Sequence, residues 1–323
     1  MKKPLVILGV FGISACFGIC LSIMKGSVDI PVEEIFSAIF NDAENIHGQI
    51  LNNIRMPRTM TAALVGINLS LAGAILQAVM KNPLADPHII GISSGAGLAG
   101  IAVMLLFPES TWAITPVSFL GAMGAAILIY ILAWKNGIRP IRIILAGVAV
   151  SAFLGAGISS LMILNSDKVH GALMWMVGGL SARSWNHVEI ILPYAILGTV
   201  LAIWGANYLN ILLLGDEIAK SLGLRVEFVR LTFTALAALL AASAVSVVGL
   251  LGFVGLIVPH AARLILGTDY RYLLPGAALL GIATVTISDT FARTIFAPVE
   301  LPVGIVMAAA GAPFFLFLLR KEL

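Results

Sequence analysis

Charge is what this sequence has least of. Of its 323 residues only 11% are Asp, Glu, Lys or Arg, while 60% are hydrophobic. A soluble domain of this length needs far more polar surface, so a soluble globular fold is excluded. Cysteine is almost absent. Cys16 and Cys20 are the only two, one helical turn apart inside the first apolar run. A metal site needs more ligands than that, and a disulfide would have to form within lipid, so the pair reads as two small apolar residues. The phosphate loop GxxxxGK[ST] is missing, and the dipeptide Gly-Lys never occurs. The chain is therefore no P-loop ATPase. There is no HExxH, and the five histidines (His47, His88, His170, His187, His260) are scattered, so no metal-ligand set forms. His260, closing an apolar run beside Arg263, reads as a packed or interfacial residue.

Acidic residues are nearly absent from the apolar runs. Apart from Glu189 at the very start of the run 188–208, Asp289 is the exception, and Arg293 follows four residues later, which makes a local pair one turn apart. A proton- or sodium-coupled carrier keeps acidic groups near the membrane midplane. Secondary transport is thus the weaker transport reading. An intramembrane enzyme is weaker still, because no nucleophile–base pair or metal-ligand set is present.

What the sequence has is apolar length. Mean hydropathy is +1.04, and runs of about 20 residues recur, each long enough to cross a bilayer as a helix. The expected spans are 4–24, 58–79, 90–107, 114–134, 141–164, 188–208, 229–250, 252–267, 273–292 and 303–319. This predicts an all-α polytopic membrane protein of ten spans, as a single domain over 1–323. The span at 252–267 is short and broken by Gly252, Gly255 and Pro259, which is tolerated only where backbone is buried in protein or lines a cavity. The motif ISAC (13–16) has the look of a lipoprotein processing site, but the apolar run continues to Met24, so 4–24 reads as a retained span.

The net charge of +3 is accounted for by basic residues at helix ends, without any nucleic-acid partner. With the N-terminus inside, the inner ends and loops hold Lys2, Lys3, Lys81, Lys135, Arg139, Arg142, Lys220, Arg225, Arg230, Arg263, Arg271, Arg320 and Lys321. The outer side holds Lys25, Arg55, Arg58, Lys168, Arg183 and Arg293. The excess of Lys and Arg inside places both termini in the cytoplasm. The outer segment 25–57 contains VDIPVEEIFSAIF, a Pro-started amphipathic piece expected to lie along the interface. Small residues in GISSGAGLAG (91–100), GAMGAA (121–126) and GLLGFVG (249–255) are those that let helices approach closely in lipid.

One inner segment departs from the rest. LGDEIAKSLGLRVEFVR (214–230) carries Asp216, Glu217, Lys220, Arg225, Glu227 and Arg230. It predicts a short helix stopped by Gly223 and a second helical piece at 225–230. On the residues alone it fits a solvated linker and a partner-binding element equally well.

Five stretches resemble the membrane subunit of type II ABC importers, which take up iron–siderophore complexes, haem and cobalamin. They are RMPRTMTAALVGINLSLAGAILQAVMKNPLADPHIIGISSGAG (55–97), ILAGVAV (144–150), LGDEIAKSLGL (214–224), GFVGLIVPHAARLILG (252–267) and ELPVGIVMAAAGAPFFLFLL (300–319). The resemblance implies two permease subunits, here expected as a homodimer, around a central pathway. It implies two cytoplasmic ATPase subunits that use ATP and Mg, an extracytoplasmic substrate-binding protein, and no cofactor or metal held by this chain. The location would be the bacterial cytoplasmic membrane. The loop matching 214–224 would be the ATPase-coupling element, with Gly215, Asp216, Glu217, Lys220, Ser221 and Gly223. Arg55, Arg58 and Arg293 match arginines that meet carboxylates of the binding protein. The inner gate falls near NPLADP and the following turn, with Asn82, Pro83, Pro87, Ser93 and Ser94. RPIR at 139–142 departs from the small hydroxyl residues of the cobalamin importer, and DYR at 269–271 from the common DHR. An iron–siderophore type chelate is the first substrate expected, with haem and cobalamin as alternatives. Met and Trp of ALMWMVGG (172–179) read as packing or interfacial anchors, or as the lining of a route.

Overall fold

An apolar run in lipid satisfies its own backbone only by coiling into a helix, and this chain does so throughout. The computed structural model describes residues 2–26, 46–88, 91–135 and 140–322. Its helices are α1 Lys2–Met24, α2 Ile46–Ile50, α3 Met56–Val79, α4 Ile92–Leu106, α5 Ile114–Ala133, α6 Pro140–Leu164, α7 Val169–Val177, α8 Trp185–Trp204, α9 Ala206–Leu213, α10 Asp216–Ser221, α11 Val226–Val248, α12 Val254–Leu266, α13 Tyr270–Thr294 and α14 Val303–Glu322. Seven stretches are long and apolar enough to span: α1, Ile46–Val79, Thr111–Ala133, α6, α8, α11 and α13. The shorter apolar helices Ile92–Leu106, Val254–Leu266 and Val303–Leu316 complete the ten expected positions. The amphipathic piece expected at 28–40 and Arg139 of RPIR lie outside the described residues.

α3 is the axis of the bundle. In its spanning stretch 89% of the most apolar window is buried, against 22% in α1 and in α6. It packs on α8, α11, α12 and α13, while α1 lies along α13 and α4 along α5. The close crossings use glycine. A Cβ on Gly66 would collide with the Gly281 carbonyl, and one on Gly73 with the Gly255 carbonyl. Removing side-chain bulk lets two backbones touch, which is how helices associate where no hydrophobic force joins them.

Two local expectations need correction. The run 188–208 is not one helix: α8 stops at Trp204, Gly205 turns, and α9 begins separately. The piece expected at 225–230 is not a second short helix either. Val226–Arg230 is the first turn of α11, which continues unbroken to Val248. The break foreseen near 252 is present, with Gly249 (φ +81) and Phe253 (φ +67) both left-handed. Its backbone groups are satisfied by other broken strips. Leu250 N–H donates to the Trp175 carbonyl (3.1 Å), Gly179 N–H to that of Val248 (2.9 Å), and Gly304 N–H to that of Gly178 (3.1 Å). Non-helical backbone thus survives at membrane depth because it is enclosed by protein.

Candidate functional site: polar networks at the two ends of the bundle

The two ends of the bundle are named inner and outer after the orientation expected from the Lys and Arg count; at the inner end the chain leaves α3 through Lys81, which adopts φ +49. The following NPLADPH loop is held by its own side chains. Leu84 N–H donates to Asn82 Oδ1 (2.9 Å), and His88 N–H to Asp86 Oδ1 (2.7 Å). Pro83 is half-buried and Pro87 buried, and neither continues a helix. Gly91 (φ +96) then opens α4, with Ser93 buried and Ser94 half-buried on its first turn. Gly91-Ile-Ser-Ser-Gly95 has the spelling of a hydrolase nucleophile elbow. Ser93, however, is enclosed beside the Gly95–Gly121 helix crossing, where a substrate carbonyl has no access.

α10 stands directly beneath this loop. Gly215 (φ +110) and Gly223 (φ +83) bound it, conformations that a side chain would disfavour. Asp216 faces inward. Its Oδ1 accepts from Lys81 Nζ at 2.7 Å and from Arg230 Nη2 at 3.0 Å. Burial raises the Asp216 carboxyl, but the Lys81 hydrogen bond and the Arg230 guanidinium outweigh it and hold the group below its ordinary value. Glu217, Lys220 and Ser221 point to solvent, together with Ile218 and Leu222. The six residues expected for coupling therefore divide between a hinge pair, one inward anchor and an outward face. The sequence alone did not show that the anchor is tied to Lys81, next to the expected gate residue Asn82.

A second inner network joins α9, α12 and α13 to the end of α3. Asn210 Nδ2 donates to Asp269 Oδ1 (2.8 Å), and Tyr270 N–H donates back to Asn210 Oδ1 (2.9 Å). The hydrogen bond from Arg271 draws the Asp269 carboxyl down to about 2, partly opposed by burial and helped by Asn210. Arg263 Nη2 donates to Gln77 Oε1 (2.7 Å), and Tyr270 Oη to the Ala74 carbonyl (3.2 Å). The DYR departure at 269–271 thus supplies a hydroxyl that α3 uses. His260 packs edge-on to Phe314 with ring centres 5.9 Å apart.

At the outer end, Arg55, Arg58 and Arg293 are only 3%, 5% and 3% exposed. Each guanidinium has partners within the chain. Arg58 grips Asp289 through Nε (3.0 Å) and Nη2 (2.9 Å), and Glu300 through Nη1 (2.7 Å). Arg293 Nε lies 3.2 Å from Asp289 Oδ2, and its Nη2 donates to the Ser22 carbonyl (3.0 Å). Arg55 Nη1 donates to the carbonyls of Ile23 and Met24, both at 2.9 Å. The Asp289–Arg293 pair was foreseen; the part of Arg58 and Glu300 was not. Between the two ends a cavity of about 450 Å³ is lined by Asp86, Met176, Val177, Phe253, Leu256 and Ala308. Met176 of the ALMWMVGG strip therefore borders it, while Trp175 is buried in the helix packing.

Comparison with known proteins follows the same outline. Residues 14–321 match the FecCD transport family. The Fe(3+)-citrate import system permease protein YfmD of Bacillus subtilis is 36% identical over 305 residues, 94% of this chain and 91% of its own. The cobalamin import system permease protein BtuC of Halobacterium salinarum is 43% identical over 274 residues, 84% and 74% of the respective chains. A metal-chelate type ABC transporter solved in an inward-facing conformation superposes with a TM-score of 0.87 at 28% identity, covering 98% of this chain and 99% of that one. With its helical architecture, matching order of segments and nearly full-length coverage, the chain belongs to the FecCD transport family: it is a multi-pass membrane permease subunit of an ABC importer, a transport component and not an enzyme.

Proposed function

We propose that this permease moves an iron–siderophore type metal chelate inward across a bacterial cytoplasmic membrane by alternating access. Residues 1–323 act as one permease domain, two copies enclose the pathway, and both termini are cytoplasmic. ATP and Mg are used by two separate ATPase subunits beneath α10. The carrying observation is the pairing of α10 with the NPLADPH loop. Glu217, Lys220 and Ser221 are free to meet an ATPase, while Asp216 reaches back to Lys81. Motion imposed on the outer face of α10 is thereby delivered to the turn carrying Asn82, Pro83 and Pro87, and on to Ser93 and Ser94 at the start of α4. The gate reading follows from that link.

An extracytoplasmic binding protein docks at the other end. There Arg55, Arg58 and Arg293 support the shape of the rim through their partners within the chain. Cobalamin is the second substrate reading, favoured by the 43% identity to a cobalamin permease. The deciding experiment is ATP hydrolysis and vesicle uptake by the complete complex in lipid, given its binding protein loaded with a ferric chelate, haem or cobalamin. Uptake of the ferric chelate alone is expected. Uptake of cobalamin or haem alone replaces the substrate, and uptake without ATP overturns the mechanism.

A further inference from the structure

A second, smaller pocket of about 180 Å³ opens at the outer end, lined among others by Trp175, Gly179, Ser181, Arg183, Glu300 and Pro302. Two buried N–H groups on its lining residues, Trp175 Nε1 and Arg183 Nε, have no hydrogen-bond partner among the described residues. Trp175 itself is only 6% exposed. Buried donors of this kind call for an acceptor, from solvent or from a ligand. Arg183 Nη1 lies 3.2 Å from His187 Nε2, whose Nδ1 faces the Ser184 backbone N–H at 3.2 Å, so Nε is the part of the guanidinium left open. Glu300 is taken by Arg58 at 2.7 Å. Burial, followed by the nearby Arg58 charge, pushes Arg183 down to about 10.

We propose that this pocket receives a carboxylate of the incoming metal chelate, held by the Arg183 guanidinium, with the Trp175 side chain lining the same pocket. The inference rests on the chelate-import reading and names the chemistry of its entry point. Position favours the cargo as the source of the carboxylate. Trp175 and Gly179 border this pocket, while Met176 and Val177 of the same strip border the 450 Å³ cavity that extends to Asp86. A group held at Arg183 is therefore one strip of backbone away from the route.

Tryptophan fluorescence of the complete importer in nanodiscs, titrated with citrate and with gallium(III) citrate, tests it. A saturable change is expected in the native chain and is lost in Trp175→Phe. Arg183→Gln weakens the binding on the order of ten-fold or more, as loss of a charge-assisted contact does, and Arg183→Lys recovers part of it. Sodium chloride at equal ionic strength gives no saturable change. The proposal is overturned if the native chain shows no saturable response, or if Arg183→Gln binds citrate like the native chain. It is also overturned if Arg183→Gln lowers only the affinity for the binding protein, which would assign the carboxylate to that partner. Citrate binding at Arg183 without uptake of any ferric chelate would instead sink the chelate-import reading and leave the pocket standing.

Discussion

Asp289 sits between the guanidiniums of Arg58 and Arg293, with no exposure of its own. Removing one partner of a buried ion pair costs about 3–5 kcal/mol, because the remaining charge is left uncompensated. Asp289→Ala is therefore expected to lower the unfolding midpoint of the detergent-solubilised protein sharply, and Arg58→Met with Asp289→Leu to recover part of the loss. A double variant as unstable as the single one would contradict this account. Half of the cluster was legible: Asp289 and Arg293 are four residues apart and must meet on one helix face. Arg58 and Asp289 are 231 residues apart, and only the packing of α3 on α13 brings them together. Asp269 gives a pH-dependent counterpart. It caps α13 by accepting from Arg271 N–H and holds its carboxyl near 2. A depressed carboxyl contributes stability above its unfolded value, and that stability is lost as pH falls through the folded one. Asp269→Ala should thus cost about 1 kcal/mol at neutral pH, the usual worth of a cap. In chemical denaturation the difference should fade between about pH 4 and pH 2.

Between elements, the informative contact is α10 to the end of α3. The Lys81–Asp216 pair is partly exposed, with side chains 32% and 41% accessible, and such pairs add little to stability. Its value lies in geometry. Lys81→Ala, which leaves the Asp216–Arg230 pair intact, is expected to leave the protein folded while lowering chelate uptake per ATP hydrolysed, and the conservative Lys81→Arg to keep the ratio. An unchanged ratio in Lys81→Ala would mean that α10 acts on the NPLADPH loop by another contact. Glycine crossings behave differently, since they admit no compensation. Gly66→Val would drive α3 from α13, and little monodisperse protein should survive size-exclusion chromatography in detergent. At this scale the ten apolar segments were readable from length and hydropathy. Gly205 was not, because a single glycine between two apolar runs looks the same whether the helix turns there or continues. The first turn of α11 was read as a separate short helix because its charges set it apart from the apolar run, yet Arg230 is buried against Asp216 and Glu227 and the helix runs on unbroken.

Across the whole molecule, chain order and spatial order diverge. α3, near the start of the sequence, is the centre of the bundle, and α1 rests along α13 rather than along its neighbours in sequence. A Cβ on Gly18 of α1 would collide with Thr286 of α13, so the two surfaces are fitted to each other. During synthesis α1 therefore reaches the membrane long before the surface that completes it. At about 5–20 residues per second, the roughly 250 residues between them take on the order of 10–50 s to emerge. For that interval the α1 face bearing Gly18 and the Ser22 hydroxyl is covered by lipid or by the insertion machinery. A force-sensing arrest peptide placed at successive lengths should register a pull when α13 enters, and that pull should shrink in Gly18→Leu. The first span of this permease is thus a helix in waiting, whose place in the bundle is settled only once the ninth span has arrived.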